Sequence, residues 1–282
     1  MLTSLQNPLV KQMRKLHRAK DRREQGLFLL EGTHSLATAL VADYALTTLC
    51  YTKHWQARYP DLWQRASQAS VRVEQVSPEV LRAIATTVEP DGVVATLKRP
   101  AISRPAFTRL GVVLQTLQDP GNLGTIIRTV AAAGADGILL SRDSVEPDHP
   151  KVLRASAGEW LRVPMGVCDD LVATIAEYKD QGFQVIATLP QATQTYWEID
   201  FEQPTLILLG NEGAGLSDQL VACADCQVTI PLMPGVESLN VAIAAALLLY
   251  EARRQQISVV VRSRSLADNR EGLTGERCES GI

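Results

Sequence analysis

The sequence predicts an α/β protein built from two domains, and three observations support this prediction. Helical and strand patterns alternate along most of the 282 residues, which is typical of sheets covered by helices. Short runs rich in Val, Ile and Leu in the second half indicate a parallel sheet buried on both faces. A basic stretch with two prolines, residues 99–109, lies between the halves and predicts a linker.

The first half has the pattern of a small α/β sandwich. Residues 8–23 predict a basic helix, because Leu9, Met13 and Leu16 recur at helical spacing while Lys and Arg occupy the other faces. Pro78 directly after Ser77 marks the start of another helix. Strands are predicted at 26–32, 45–52, 71–76 and 91–97, and the other helices at 33–43, 54–68 and 77–85.

The second half is more regular. Its strands are predicted at 111–117, 137–141, 183–189, 205–210 and 226–231, with helical segments between them. The residues at 257–282 are polar and without a periodic pattern, and we predict a disordered tail there. The predicted domains are therefore 1–98 and 110–256, with 99–109 as the linker.

A loop near the end of the second half runs directly into ten apolar residues, 241–250, which show no polar face. Ten residues are too few to cross a bilayer, so we predict a buried helix. Glu237, Ser238 and Asn240 stand at its entrance, where buried polar groups need partners. Ser238 or Asn240 can cap the helix, and either the loop or a ligand satisfies the remaining groups.

Charge is distributed unevenly between the halves. Residues 1–109 contain 16 Lys and Arg against 9 Asp and Glu, a net charge of +7. Residues 110–282 contain 12 against 22, a net charge of −10, and the two values add to the −3 of the chain. Such asymmetry indicates that the first half contacts a polyanion, and a chance imbalance of surface charge is the alternative.

The composition also bears on location and metal chemistry. The opening residues lack the apolar core of a secretory signal and no stretch has transmembrane length, so we expect a cytoplasmic protein without membrane contact. Cys223 and Cys226 form a CxxC, but neither a second cysteine pair nor a His cluster accompanies it, and zinc needs four ligands. We predict no metal site and interpret the five cysteines as buried thiols.

Three predicted strands end in unusual residues, at the edge where open parallel sheets bind ligands. After the first of these strands, a Pro-Gly turn leads into a helix that starts near Asn122 or Gly124. Arg128 is the single charge on this helix of small and apolar residues. It either reaches solvent or a salt bridge, or it is a cation presented beside a helix N-terminus that also favours an anion.

The other two strand ends are rich in glycine and proline. Gly210 ends one strand, Glu212 follows, and Gly213 and Gly215 precede a helix, so a ligand can approach the backbone closely. The order and late position of these glycines differ from a Rossmann fingerprint, which argues against a nucleotide-dependent oxidoreductase. The third end is the loop before the apolar helix.

Together, the three strand ends resemble the motifs of a known family. N-x-G-x-x-x-R at 122–128, G-x-E-x-x-G-L at 210–216 and I-P-…-E-S-L-N-V at 230–241 are similar, in order and spacing, to those of the SpoU/TrmH family. Its members are RNA ribose 2′-O-methyltransferases of the SPOUT class. The stretch at 149–164 is also similar, and the basic first domain resembles the L30e-like RNA-binding domain that often precedes the catalytic domain of this family.

The resemblance implies features that the residue patterns alone do not give. These are a C-terminal helix threaded through a loop in a deep trefoil knot, a homodimer, and S-adenosylmethionine as the methyl donor. The family usually has glycine where Pro234 stands, so we expect a different shape at this edge of the cofactor pocket. The positions implied for the cofactor are Gly210, Ile230 and Leu239, with Thr188 and Leu189 as a further wall.

The resemblance also implies roles for individual side chains. Family accounts give the general base to the Arg of the first motif, here Arg128, but a guanidinium almost never releases its proton. We therefore expect Arg128 to bind the phosphate beside the target ribose and to orient the hydroxyl. Asn122 would orient Arg128 or the ribose, and Glu212 would anchor Arg128 or accept a hydrogen bond from the sugar. Ser238 and Asn240 would hold the loop and contact RNA.

The expected activity is methyl transfer to a ribose 2′-OH of RNA, with rRNA preferred to tRNA because a dedicated first domain is present. Two alternatives stay open: a tRNA 2′-O-methyltransferase, and an RNA-binding protein whose catalytic domain is inactive. The joint presence of all three motifs argues against the second. The target nucleotide depends on surface shape and stacking, which the residue pattern does not encode.

Overall fold

The computed structural model describes residues 1–100 and 104–274, which form two sheets with helices on their faces. The first sheet contains β1 (Leu27–Glu31), β2 (Leu46–Tyr51), β3 (Ser70–Gln75) and β4 (Val93–Lys98). Its order is β1-β4-β2-β3, with β4 antiparallel to both neighbours and β2 parallel to β3. The helices around it are α1 (Pro8–Lys15), α2 (Ala19–Gln25), α3 (Thr33–Val41), α4 (Lys53–Arg58), α5 (Pro60–Gln68) and α6 (Pro78–Ile84).

The predicted strands of this half are all present, but two predicted helices are each divided in two. The basic helix at 8–23 is interrupted between α1 and α2, where Arg18 has an extended backbone. The helix at 54–68 is interrupted at Tyr59, which has φ −130° and ψ 61°. Pro60 follows directly, and proline disfavours helical backbone in the residue before it, so the chain restarts a helix there.

The second sheet confirms the predicted parallel architecture. Its strands are β5 (Leu110–Leu114), β6 (Gly137–Ser141), β7 (Met165–Cys168), β8 (Gln184–Thr188), β9 (Gln194–Thr195), β10 (Thr205–Leu209) and β11 (Cys226–Thr229). The order is β7-β6-β5-β10-β8-β11-β9, and every pairing is parallel. All residues of β5 and β10 are buried, as their apolar sequences require. Strands β7 and β9 were not predicted, because they are short and carry no clear apolar run.

The helices of this half are α7 (Pro120–Ala133), α8 (Pro150–Ala155), α9 (Leu171–Asp180), α10 (Asp218–Cys223) and α11 (Val241–Thr274). Helix α11 is longer than predicted: the backbone at 257–274, predicted as disordered tail, is helical, and this segment contains no proline to end the helix. The rest of that tail, 275–282, lies outside the described residues. No helix in the described part of the chain is both long and apolar enough to span a membrane.

The expected burial of α11 holds for one face of the helix. Ala245, Leu248 and Leu249 are buried, whereas Ile243 and Tyr250 are each 53% exposed. Residues 241–250 are apolar on both faces of the helix, but the described part of the chain covers only one of these faces. The trefoil knot implied by the resemblance stays a prediction.

The two halves share one apolar core. Phe28 of β1 lies against Trp160, which follows α8, with ring centroids 4.9 Å apart. The hydroxyl of Tyr44 donates to the carbonyl of Leu161 at 3.2 Å. A single cluster of buried residues contains side chains of both sheets. The first half is therefore packed against the second by hydrophobic burial, the main favourable contribution to folding.

A buried ionic cluster reinforces this contact. Arg22 of α2 and Asp148, which precedes α8, are each 1% exposed, with Nε and Oδ1 3.4 Å apart. Arg22 also pairs with Glu146, and Arg99 pairs with Asp148. Buried charges are tolerated only when they are paired in this way.

The predicted linker is anchored on both sides of residues 101–103, which lie outside the described residues. Arg99 is held by its pairing with Asp148, while Arg104 pairs with Glu177 and lies over the ring of Tyr178, 4.3 Å from its centroid. Phe107 is buried. The residues that flank 101–103 therefore lie on the second half rather than in solvent.

We expect Asp148→Ala to lower the free energy of unfolding by about 3 kcal/mol, because Arg22 would lose one of its two acidic partners while staying buried. Urea unfolding of the full chain measures this change. Asp169→Ala is the matched control, since the Arg142–Asp169 pair is largely exposed and exposed pairs contribute little. Equal midpoints for the two variants would contradict a special contribution of the buried cluster.

Candidate active site

Three side chains, one from each predicted motif, are joined by hydrogen bonds at one edge of the parallel sheet. Asn122 in the first turn of α7 donates from Nδ2 to Oε1 of Glu212, at 3.0 Å. Glu212 lies in the loop after β10, the strand paired with β5. Asn240, directly before α11, donates from Nδ2 to Oδ1 of Asn122 at 2.9 Å. Residues separated by up to 118 positions in sequence thus form one polar chain.

The two ends of this chain determine the direction of each hydrogen bond. An ionised carboxylate can only accept, so Asn122 must present its NH₂ group to Glu212. At the other end, the backbone N–H of Ala242 donates to Oδ1 of Asn240 at 2.9 Å. Asn240 must therefore present its own NH₂ group to Asn122. The orientation of each amide group is therefore assigned from its hydrogen-bond partners.

The start of α7 explains how Asn122 is placed. Asp119 is the N-cap, its side chain accepts from the backbone N–H of Asn122 at 2.8 Å, and Pro120 occupies the first turn. The helix thus begins slightly earlier than predicted. Gly124 has a packing role, since a Cβ there would lie 2.3 Å from Cβ of Ala155 in α8. The glycine of the first motif lets α7 and α8 approach closely.

The loop after β10 is tight and self-contained. A Cβ on Gly210 would lie 2.1 Å from the backbone of Gly215, and Asn211 forms a β-bridge with Gly215. Oδ1 of Asn211 accepts from the backbone N–H groups of Gly213 and Ala214, both at 2.9 Å. The sequence predicted that glycine at 210 would let a ligand approach the backbone closely. The structure shows that Gly210 instead allows close contact with Gly215 in the same loop.

Glu212 is held as an ionised acceptor. Its carboxylate accepts from the backbone N–H groups of Gln118 at 3.4 Å and Asp119 at 3.3 Å, in addition to Asn122. Burial raises the pKa of Glu212, but these hydrogen bonds outweigh burial, and the pKa lies below its usual value. Glu212 can therefore accept a hydrogen bond from a ligand at neutral pH but cannot donate one.

Arg128 is exposed on α7 and has no hydrogen bond or ion pair with any described residue. It follows Asn122 by six residues, which places it about 9 Å along the helix and roughly 120° around its axis. The expected contact between Glu212 and Arg128 is not observed, because Asn122 takes that place. Ser238 is likewise exposed and makes no side-chain hydrogen bond within the described chain. Asn240, rather than Ser238, caps α11.

The positions implied for the cofactor follow the ends of three neighbouring strands. Gly210 comes after β10, Thr188 ends β8 and Leu189 follows it, and Ile230 comes after β11; β8 lies between the other two strands. Adjacent strands are about 4.8 Å apart, so these backbones line one short stretch of the sheet edge. Leu239 is half-buried beside Asn240.

One buried polar atom in this stretch lacks a partner. Oγ1 of Thr188 is buried and has no hydrogen bond with the described residues. A nucleoside offers hydroxyls and ring nitrogens that can bond to such a hydroxyl and to free backbone groups. The residues at these three strand ends therefore fit the adenosine part of S-adenosylmethionine.

Several residues that build the site escaped the sequence prediction. Thr116 has a left-handed backbone, φ 54°, and its carbonyl accepts from Nδ2 of Asn211 at 2.8 Å. This bond ties the loop that carries Glu212 to the end of β5. An Asn directly after a strand-ending glycine, such as Asn211, is a recognisable signal for a side-chain-closed turn. The Asp-Pro pair at 119–120 is a helix-start signal.

None of the described cysteines belongs to this hydrogen-bonded group of side chains. Of the described cysteines, Cys50 is buried and burial raises its pKa to about 12, while Cys168, Cys223 and Cys226 are partly exposed. The interpretation of all five as buried thiols is therefore wrong for these three, and Cys278 lies outside the described residues. Within 1–100 and 104–274, no group of three or more His, Cys, Asp or Glu residues could hold a metal ion.

Comparison with known proteins agrees with this geometry. Residues 109–250 match the SpoU rRNA Methylase family, and residues 7–95 match the MRM3-like substrate binding domain. An uncharacterized tRNA/rRNA methyltransferase of Synechocystis sp. is 53% identical over 257 residues, covering 90% of this chain and 94% of the relative. The 23S rRNA (guanosine(2553)-2′-O)-methyltransferase RlmP of Bacillus subtilis is 32% identical, covering 89% of this chain and 98% of the relative.

A solved structure supports the same assignment. The AdoMet-bound rRNA methyltransferase of Sinorhizobium meliloti superposes with a TM-score of 0.80 at 32% sequence identity, covering 90% of this chain and 97% of that one. The α/β fold with its parallel sheet is thus that of the SPOUT methyltransferases. The fold, the three motifs and their hydrogen-bonded side chains lead to one conclusion: this chain belongs to the SpoU rRNA methylase family.

Proposed function

We propose that this protein transfers a methyl group from S-adenosylmethionine to a ribose 2′-OH of rRNA. The observation that carries the proposal is the hydrogen-bonded chain from Glu212 through Asn122 to Asn240, which joins all three motifs. The substrate class is supported by relatives such as the Bacillus subtilis 23S rRNA 2′-O-methyltransferase. Cofactor use is supported by the AdoMet-bound Sinorhizobium meliloti enzyme.

The residues of this chain must hold the ribose and assist the loss of its hydroxyl proton. S-adenosylmethionine, when bound, supplies a methyl group on a positively charged sulfur. Glu212 is exposed, and its carboxylate is held in the ionised form, so it can accept a hydrogen bond from a sugar hydroxyl. Asn122 and Asn240 fix its orientation, and such positioning lowers the barrier by removing the need to order the reactants.

Arg128 is assigned to the RNA backbone rather than to proton transfer. It is exposed, and among the described residues no carboxylate neutralises it. A guanidinium forms paired hydrogen bonds with a phosphate group. Arg128 would hold the phosphate beside the target ribose, and Ser238, on the exposed loop before α11, would contact the RNA as well.

The segments outside the three motifs are assigned to RNA binding and to the connection between the domains. Residues 1–98 form the domain that binds RNA, supported by their basic charge and by the match to a substrate binding domain. Residues 99–109 connect it to the methyltransferase domain at 110–256. Because the proposed substrate is rRNA, we infer that the enzyme acts in the cytoplasm.

The exposed apolar face of α11 supports a homodimer. Ile243, Leu247, Tyr250 and Ile257 are all exposed and follow one another at helical spacing. A contiguous apolar stripe on a soluble protein typically marks an interface. Two copies of α11 related by a two-fold axis would cover this stripe. Helix α11 starts directly after Asn240, so the dimer contact would lie beside the proposed active site.

The decisive test of the activity is a map of ribose 2′-O-methylation in RNA from cells with and without the gene. We expect one rRNA methyl group to disappear and to return when the wild-type gene is restored. Unchanged rRNA with one missing tRNA methyl group would show a tRNA enzyme. No change in either RNA, with no binding of S-adenosylmethionine by calorimetry, would show an inactive RNA-binding protein.

For Arg128→Lys we expect kcat/KM to fall about 100-fold, because lysine keeps the charge but loses the paired hydrogen bonds to phosphate. The pH–rate profile should keep its shape. Titration of Glu212 should not change the rate near neutral pH, since the pKa of Glu212 is below its usual value. A limb that moves with the substitution would identify Arg128 as the base. Arg162→Lys, at another exposed arginine, is the matched control and should leave both quantities unchanged.

Tyr250→Glu should convert the dimer to a monomer, because a charge placed in an apolar interface must be desolvated. Sedimentation of the full chain measures the mass. Val41→Glu is the control, since Val41 is also exposed but lies at the end of α3 in the first half. A wild-type protein that sediments as a monomer would contradict the proposed dimer.

A further inference from the structure

The first domain contains a cavity of about 230 Å³ between α1 and its sheet. The cavity lies on the sheet face that carries α1 and α6, because Leu29 and Val94 on that face belong to the cluster with Leu9 and Met13. The opposite face carries the core shared with the methyltransferase domain. The cavity is therefore separate from the proposed active site and from the contact between the domains.

The floor of the cavity is a row of side chains across the sheet. Thr48 lies opposite Arg72 on β3 and opposite Thr96 on β4, and all three line the cavity. Thr96 is 2% exposed, and its Oγ1 has no hydrogen-bond partner among the described residues. A hydroxyl buried without a partner costs free energy. This atom therefore indicates a ligand with a complementary polar group.

A second polar atom of a cavity-lining residue is also buried without a hydrogen-bond partner in the described chain. Gln25 donates from Nε2 to the carbonyl of Gln12 at 3.5 Å, but its Oε1 is buried without a partner in the described chain. Oε1 can only accept, whereas the Thr96 hydroxyl can donate or accept. A ligand that donates an N–H to Oε1 and offers a carbonyl to the Thr96 hydroxyl would satisfy both atoms.

The walls of the cavity are apolar, and its surroundings are basic. Leu9 and Met13 of α1, with Leu16 directly after it, form one wall. Lys15 is the last residue of α1, and Lys98 follows Thr96 by two residues, on the same face of β4. Both lysines are exposed and have no ion pair with a described residue. A ligand that is flat and apolar on its faces but attached to an anion fits this arrangement.

We propose that this cavity binds one unpaired RNA base with an N–H beside a carbonyl, that is, uracil or guanine. Gln25 accepts from the ring N–H, Thr96 donates to the carbonyl, and the α1 side chains contact the base. Val71, which lines the cavity and is 86% exposed, contacts the base at the mouth. Lys15 and Lys98 attract the attached phosphates.

RNA is the ligand that the whole domain favours. Its net charge is positive, residues 7–95 match a substrate binding domain, and proteins commonly recognise RNA through bases splayed out of the helix. A small number of water molecules could satisfy the two polar atoms, but the apolar wall of the cavity would then stay in contact with water, which is unfavourable. The inference rests on the proposed function, since it supplies a contact through which the first domain would select its RNA.

The test is binding of fluorescent oligonucleotides of about ten nucleotides to the full-length protein, at one salt concentration. Oligo-U and oligo-C differ in the decisive group, because cytosine has a ring acceptor where uracil has the N–H. We expect tighter binding of oligo-U. Thr96→Val and Gln25→Met should each weaken it about fivefold, as expected for one hydrogen bond, without changing oligo-C binding.

Gln68→Met is the matched control, because Gln68 is exposed on α5, outside the cavity, and should leave oligo-U binding unchanged. Equal binding of oligo-U and oligo-C by the wild type would overturn the proposal. Crosslinking of a 4-thiouridine oligomer to the wild-type protein locates the base without any variant. Crosslinks to α1, Leu27 or Val71 support the cavity, and crosslinks confined to other segments contradict it.

The oligonucleotide assay needs neither cofactor nor methyl transfer, so the two proposals can fail separately. A protein that methylates rRNA but does not distinguish oligo-U from oligo-C contradicts the base pocket alone. A protein that prefers oligo-U but methylates no RNA contradicts the proposed activity alone.

Discussion

Strand β10 lies between β5 and β8, although it follows both in the chain, and the rest of the site depends on this insertion. Leu209 pairs beside Leu114, and Leu208 beside Ala187, so the loops that follow these strands leave the sheet side by side. One neighbour brings Asn122 to Glu212. The other neighbour brings Thr188, the last residue of β8, to the sheet edge next to the end of β10. Every residue of β10 is buried, and this burial stabilises the arrangement because moving apolar side chains out of water lowers the free energy.

The polar chain at the sheet edge connects helix packing with chemistry. Its last donor is a backbone N–H of α11, and its central residue stands in the first turn of α7, which packs on α8 through Gly124. A shift of either helix would therefore change the direction in which the Glu212 carboxylate points. The apolar outer face of α11 places the proposed dimer contact on the same helix, so assembly and site geometry would depend on each other.

The first domain is held to this edge by both apolar and ionic contacts. Glu31, buried at the end of β1, accepts hydrogen bonds from the backbone and hydroxyl groups of Thr86 and Thr87, and pairs with Arg154 of α8. Since α8 also packs on α7, RNA held by the first domain would meet an active site at a defined distance. Substrate selection can then depend on the shape of the RNA as well as on its bases.

The sequence by itself determined the α/β class, the parallel sheet, the basic first half and the three motifs, because apolar periodicity, charge and turn residues act over short distances along the chain. It also singled out Asn122, Glu212 and Asn240 as candidate site residues, and these three side chains are hydrogen-bonded to one another. Only the tertiary structure decided that Glu212 bonds to Asn122 rather than to Arg128, and that Gly210 packs against Gly215. These partners depend on strand order and on the rotation of α7, which a local pattern does not encode. The hydroxyls of Thr96 and Thr188, which have no hydrogen-bond partner among the described residues, could likewise be recognised only in the folded chain, where they are buried.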